Sequence, residues 1–343
     1  MPVRCTQNPT IGEEWRRDWH PERFESAGST STVLIVGGGP AGLECALTLA
    51  RRGYQVSLAE ADDRFGGRLR FETTLPGLAT WGRVLDWRLG QLQRLDNVTL
   101  YPGNKLSVDD ILGLEHQRVV VATGAVWTRM MYSTLELPVR ALASPHIFTP
   151  DDVAAGTQIE GPIVVFDFDN YYMGGVLAEE LARSGSSVTY VTPAGHASAW
   201  TNMTNEQPQV HRALANAGIG LVTLSRVSGF SDEVVVVANL FTGEERQLPC
   251  KSLIIVGARA ARDELYQSLM QRQQDWVQAG IASVDRIGDA LAPGAIAHAV
   301  HSGHRFAREL DHAAERTILR RDSPIVESPP LLYDEGCKQV PAR

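Results

Sequence analysis

An α/β protein of the Rossmann-like dinucleotide-binding class, with two nucleotide-binding-like domains and the second inserted in the first, is what this sequence predicts. Three observations carry the prediction. Residues 33–60 read as apolar strand, glycine turn, amphipathic helix, second strand and terminal acid. Residues 163–192 repeat that pattern with the glycines altered. An unbroken apolar strand at 119–124 and a Gly-Asp turn before a helix at 294–310 supply the return elements of the first domain.

In the first copy, Gly37, Gly39 and Gly42 form G-x-G-x-x-G with Pro40 and Ala41 between them. The first glycine permits the tight turn, the second lets backbone approach a pyrophosphate, and the third lets the helix sit close on the strand. The helix that begins here points unpaired N–H groups at the phosphates. Glu60 closes the second strand, where a carboxylate can accept hydrogen bonds from a ribose. Next comes Asp63-Arg64-Phe65-Gly66-Gly67-Arg68-Leu69, whose glycine pair would bring further N–H groups to the same pyrophosphate. A helix at about 81–95, a strand at 98–101 and a helix opened by Ser107 follow. The strand at 119–124 then ends in Ala122-Thr123-Gly124, and Thr149-Pro150-Asp151-Asp152 offers an N-cap with acids in the first turn.

The second copy has a strand at 163–167, a helix at 174–184 ending at Gly185, and a strand at 187–192. Gly174 takes the place of the third glycine, which puts Asp169 and Tyr171 at the first two and Thr192 at the acid. A carboxylate at the helix N-terminus occupies the positive end a phosphate would use, and a tyrosine blocks close approach. Binding of NAD(P)H there is expected to be lost while the fold is kept. The predicted organisation is a linker at 1–30, a first domain at 31–145 plus 281–320, the inserted domain at 146–280, and an irregular proline-rich tail at 321–343. A capping box from Thr10 to Glu13 predicts a short helix through Trp15 and Trp19.

Composition narrows the function classes. The chain has 343 residues, 43% hydrophobic and 21% charged, with a net charge of −8 and no basic run. Nucleic acid and anionic membranes are therefore poor partners, and no apolar run reaches the length of a membrane span. Neither a signal peptide nor a Cys-x-x-Cys pair is present, so a cytoplasmic protein without a disulfide framework is expected. His298, His301 and His304 recur at helical spacing, but three-residue steps drift around a helix and no Cys or carboxylate completes a metal set. Cys45 reads as a small buried residue, Cys250 and Cys337 carry no motif, and Tyr171 and Tyr172 read as packing.

With these pieces in hand the chain resembles the C-terminal region of the trimethylamine dehydrogenase and dienoyl-CoA reductase group of iron–sulfur flavoproteins, in its amine and betaine demethylase branch. The segments that carry the resemblance are CTQNP (5–9) with GEEWRRDWHP (12–21), LPGLATW (75–81), VVVATGAVW (119–127), DNYYMGGVLAEELA (169–182) and IGDALAPGAIAHAVHSGHRFAREL (287–310). The resemblance implies a disulfide-reductase-type fold and a site formed by the glycines above with Glu60, Gly66, Gly67, Arg68, Ala122, Thr123 and Gly124. It adds Gly288 and Asp289, the latter facing the ribityl–pyrophosphate region of FAD. The implied ligand is FAD, or ADP as in trimethylamine dehydrogenase itself. Full-length members carry an N-terminal FMN barrel and a [4Fe–4S] cluster whose last cysteine matches Cys5. This sequence lacks the barrel, which implies a partner FMN/iron–sulfur barrel subunit or a missing N-terminal half, with an electron-transfer flavoprotein as a further partner. A subunit of a split enzyme, a fragment or a misassigned start would each account for that. A free-standing NAD(P)H-dependent FAD oxidoreductase and a non-catalytic docking scaffold are the competing readings.

Overall fold

Five parallel strands form the first sheet, in the order Ser283–Arg286, Arg118–Val121, Thr32–Val36, Gln55–Ala59, Val98–Tyr101. The computed structural model describes residues 3–16, 19–20, 23–131, 144–231 and 233–311, so the tail, Cys337 and the end of the last predicted segment lie outside the described residues. From Thr32–Val36 the chain winds outward through Gln55–Ala59 to Val98–Tyr101, then crosses back to Arg118–Val121 on the other side. The strand order thus reverses beside Thr32–Val36, and the crevice outside the carboxyl ends at such a point is where doubly wound sheets bind ligands. Val119, Val120 and Val121 are wholly buried, as a central parallel strand covered on both faces must be.

The second sheet repeats the architecture with Ile147–Phe148, Ser252–Val256, Ile163–Asp167, Val188–Val191 and Gly220–Val222, again all parallel. One shift of 132 positions carries Gly37 onto Asp169, Gly39 onto Tyr171, Gly42 onto Gly174 and Glu60 onto Thr192. The coordinates obey that shift: Gly39 caps the helix Pro40–Arg52, and Tyr171 caps the helix Tyr172–Arg183. An antiparallel meander, Ser225–Ser231, Val234–Asn239 and Glu245–Pro249, packs beside the second sheet. The two crossings between the sheets pair as a short antiparallel ribbon, Ala125–Trp127 with Arg259–Ala261.

Two glycines set how tightly the helix Pro40–Arg52 can pack. A Cβ on Gly42 would stand 1.9 Å from the Gly37 carbonyl, and one on Gly303 would stand 2.2 Å from the Ala41 carbonyl. The last helix, Ile296–Glu309, therefore lies directly against the first. Between them sits a charged core that sequence reading missed. Glu44, buried on the first helix, accepts from the Arg88 Nε at 2.7 Å and from His304 at 2.8 Å. His304 Nε2 accepts from Arg308, so the Nδ1 side carries the proton given to Glu44. Burial alone would raise the Glu44 carboxyl, but Arg88 and His304 hold it below the usual carboxylate range.

The predicted helix at the N-terminus does not form among the described residues. Successive turns from Asn8 to Arg16 replace it. The Glu13 carboxylate does not cap a helix, because Arg4, Arg16 and His301 take it instead. The segment is held from outside: Arg88 donates to the carbonyls of Thr6 and Gln7, Arg308 to those of His20 and Arg23, and Arg52 to that of Glu25. Replacing Arg88 by Met strands Glu44 in the core and frees the Thr6 and Gln7 carbonyls. A loss of about 3–5 kcal/mol in urea unfolding is expected, with the N-terminal segment becoming protease-sensitive.

Candidate functional site

The chain passes from the strand Thr32–Val36 into a backbone-lined hollow at the switch point. Gly37 adopts φ +110°, and a Cβ there would lie 2.3 Å from the Ala122 carbonyl. Only glycine fits both the conformation and the contact. Ala122 in turn donates its N–H to the Val36 carbonyl, so Ala122-Thr123-Gly124 runs beneath the turn. Thr123 and Gly124 continue into bonds with Arg262, the Thr123 hydroxyl donating to its carbonyl and the Gly124 carbonyl accepting its N–H. At Gly39 nothing lies within 4 Å of where a Cβ would stand, and no side chain caps the helix. The first N–H groups of Pro40–Arg52 therefore face open space next to the crevice, which suits a diphosphate.

Gly66 and Gly67 fold against this turn. The Gly66 N–H donates to the Gly38 carbonyl at 2.9 Å, and a Cβ on Gly67 would lie 3.4 Å from the Gly39 Cα. Glu60 accepts the N–H of Gly38 at 2.7 Å and that of Asp62 at 3.0 Å, so it braces the turn. A carboxylate has acceptor sites left for a ribose beyond those two. Gly288, at φ +60°, closes the other side of the helix start, where its Cβ would meet that of Ala41 at 2.5 Å. Asp289 follows it, accepting the Gly294 N–H with one oxygen and Arg68 (3.0 Å) and Arg259 (3.2 Å) with the other. Burial by itself would lower Arg68, yet the carboxylates of Glu72 and Asp289 hold it above the usual guanidinium value. Gly37, Gly39, Gly42, Glu60, Gly66, Gly67, Arg68, Ala122, Gly288 and Asp289 are thus linked by contacts around the start of the first helix, an arrangement able to receive a diphosphate.

The corresponding turn of the second sheet is filled by its own side chains. Asp167, at the end of its strand, is fully buried and accepts the Asn170 N–H at 2.9 Å and the Tyr190 hydroxyl. Burial raises the Asp169 carboxyl, and the nearby Arg259, Arg68 and Tyr171 N–H at the helix start oppose that rise. Phe168 packs on Gly257, where a Cβ would meet the ring at 1.8 Å. Thr192 donates to the Asn170 side chain, joining the same two positions that Glu60 and Gly38 join in the first copy. Tyr171 stacks edge-on against Tyr172, which itself packs on Trp81 and donates to Glu72 at 2.8 Å.

Cys5, on the N-terminal segment, accepts the N–H groups of Gln7 and Asn8 at 3.4 Å each. Backbone N–H groups aimed at a sulfur are compatible with a metal-bound cysteine. Among the described residues no group of three His, Cys, Asp or Glu could hold a metal ion, so the remaining ligands of any cluster would come from elsewhere. His301 is pushed down to about 4, by burial first and then by Arg4, while Cys45 and Cys250 are pushed up by burial. No described helix is long and apolar enough to cross a membrane. Sequence reading missed Asp167, whose charge at the end of the apolar run IVVFD was the available signal, and Arg259, which no local pattern marks.

Burial, with Asp169 adding to it and the Tyr190 hydroxyl opposing it, raises Asp167 to about 7. The native state therefore keeps a proton that the unfolded chain releases near its ordinary value, and stability falls as pH rises toward 7. Asp167→Asn cannot ionise. The stability difference between wild type and this variant, measured by urea unfolding, should shift against wild type between about pH 4 and 7 and level off above that.

Comparison with known proteins agrees with this geometry. The family model described as pyridine nucleotide-disulphide oxidoreductase matches residues 31–303. Dimethylamine dehydrogenase of Hyphomicrobium sp. (strain x) is 37% identical over 340 residues, covering 91% of this chain and 46% of that protein. Histamine dehydrogenase from Rhizobium sp. 4-9 superposes with a TM-score of 0.88 at 42% identity, over 92% of this chain and 49% of that one. The 6-hydroxypseudooxynicotine amine oxidase from Pseudomonas geniculata N1 gives 0.85 at 41% identity, over 90% and 46%. The chain thus spans about half the length of the relatives it matches. It belongs to the pyridine nucleotide-disulphide oxidoreductase family, in the branch of trimethylamine dehydrogenase-like oxidoreductases that its motifs resemble.

Proposed function

We propose that this chain is the nucleotide-binding module of a flavin and iron–sulfur oxidoreductase that oxidatively demethylates a methylated amine or betaine, with the catalytic FMN barrel on another polypeptide segment or subunit. One observation carries the reading. The first glycine turn is open at Gly39, whereas the second carries Asp169 and Tyr171 at the positions of the first two glycines. A chain with one working nucleotide site and no second one can hold a cofactor but has no place for a nicotinamide donor. The relatives that match over most of the chain act, by their names, on dimethylamine, histamine and 6-hydroxypseudooxynicotine, which supports an amine as the substrate of the whole assembly.

FAD is the ligand the first site favours, with ADP as the second reading. In this reading Glu60 would take the ribose end, Gly66 and Gly67 the diphosphate, and Asp289 the region beyond it, as their contacts around the helix start support. A bound flavin would supply one- and two-electron transfer. The protein's part is to hold the diphosphate on the N–H groups of the first helix and to orient the ribose through Glu60. Cys5 would serve as one ligand of a [4Fe–4S] cluster completed by the barrel segment, and an electron-transfer flavoprotein would be the acceptor.

Reconstitution of the purified chain with FAD should give the visible flavin absorbance bands, and Gly39→Asp should weaken binding about tenfold or more by placing a carboxylate at the helix N-terminus. ADP binding without flavin bands would select the ADP reading; binding of neither would overturn the proposal. With FAD in place, NADH and NADPH should leave the flavin oxidised in stopped-flow mixing. Rapid bleaching by either would favour the competing free-standing reductase.

A further inference from the structure

Beyond the residues named by the motifs, the ribbon between the two sheets brings two more groups to the first site. Arg259 opens the strand Arg259–Ala261, which continues from the second sheet, and Trp127 ends the strand paired with it. Arg259 donates through Nη1 to Asp289, next to the start of the helix Pro40–Arg52. Its side chain is 14% exposed, so the guanidinium keeps an edge open to solvent or to a ligand. The Trp127 ring lies 5.1 Å from the Arg259 guanidinium and 5.9 Å from that of Arg68. Its indole N–H is buried and lacks an acceptor among the described residues. A buried donor left unpaired in this way is costly unless a ligand uses it.

Position fixes what that ligand group is. Asp289 follows Gly288, which touches Ala41 in the first helical turn, and Arg68 follows Gly67, which touches Gly39. Both guanidiniums bond Asp289 beside the helix N-terminus; Asp289 follows the strand Ser283–Arg286 and Glu60 follows Gln55–Ala59, on opposite sides of Thr32–Val36. Glu60 marks the ribose end, so the far side meets the phosphate distal to adenosine. We propose that Arg259, aided by the Trp127 N–H, binds that distal phosphate, so that a residue carried by the second unit completes the nucleotide site of the first. The second unit then serves the first by delivering Arg259. Asp169, from the second turn, also interacts electrostatically with both Arg259 and Arg68. The inference rests on the nucleotide reading of the first site and adds a specificity residue to it.

The test is titration calorimetry of the full chain, stripped of nucleotide, with ADP and with AMP. AMP keeps the adenosine and proximal phosphate and lacks the distal one. Arg259→Gln should lower ADP affinity about tenfold or more while changing AMP affinity less than about twofold, and it should flatten the salt dependence of ADP binding. Arg259→Lys should keep part of the ADP preference, and Trp127→Phe should lower it by a smaller factor than Arg259→Gln. Matching thermal unfolding of wild type and Arg259→Lys guards against misfolding as the cause. Equal losses for ADP and AMP, or unchanged ADP binding in Arg259→Gln, would overturn the assignment. Failure of the wild-type chain to bind ADP would instead overturn the nucleotide reading beneath it.

Discussion

The contact of Gly37 with the Ala122 carbonyl is the constraint on which the first site depends. It brings the end of the first strand against the end of the crossover strand, at the one place where the sheet changes winding direction. With no Cβ between them, the turn lies low and the helix behind it starts close to the crevice. Gly42 and Gly303 extend the same economy of volume backward, letting the first and last helices meet backbone to backbone. The hollow in front of Gly39 is what remains once these contacts are made.

That packing would be impossible to hold with apolar contacts alone, because the first helix carries Glu44 on a buried face. Arg88 and His304 satisfy it, and Arg88 then reaches the carbonyls of Thr6 and Gln7. A buried carboxylate under the nucleotide-binding helix thus fixes the N-terminal segment, including Cys5, at a set distance from the site. Breaking any one partner leaves a charge in the core, which makes the arrangement specific as well as stabilising.

The two copies show how one fold serves two ends. Position for position, Glu60–Gly38 and Thr192–Asn170 are the same bond in different chemistry. In the first copy the turn is emptied by glycine. In the second, Asp169 and Tyr171 stand at the first two glycine positions, and Tyr172 and Arg259 reach out to Glu72 and Asp289 of the first unit.

Much of this was legible in the sequence for a local reason. A strand–glycine turn–helix has a fixed spacing, and the loss of glycine at 169 and 171 is visible wherever the repeat is aligned, so the two turns and the helix caps at Ser107 and Thr149 could be placed without coordinates. The N-terminal capping box was misread because Glu13 has stronger partners 288 residues away in His301 and nearby in Arg4 and Arg16, which no local pattern reveals. Glu44 with Arg88, and Arg259 with Asp289, likewise join residues far apart in the chain. Sequence determined which backbone could approach a phosphate, because that depends on the absence of a side chain at a given position. Only the tertiary structure decided which charges share a buried volume, because that depends on which distant segments the sheets bring together.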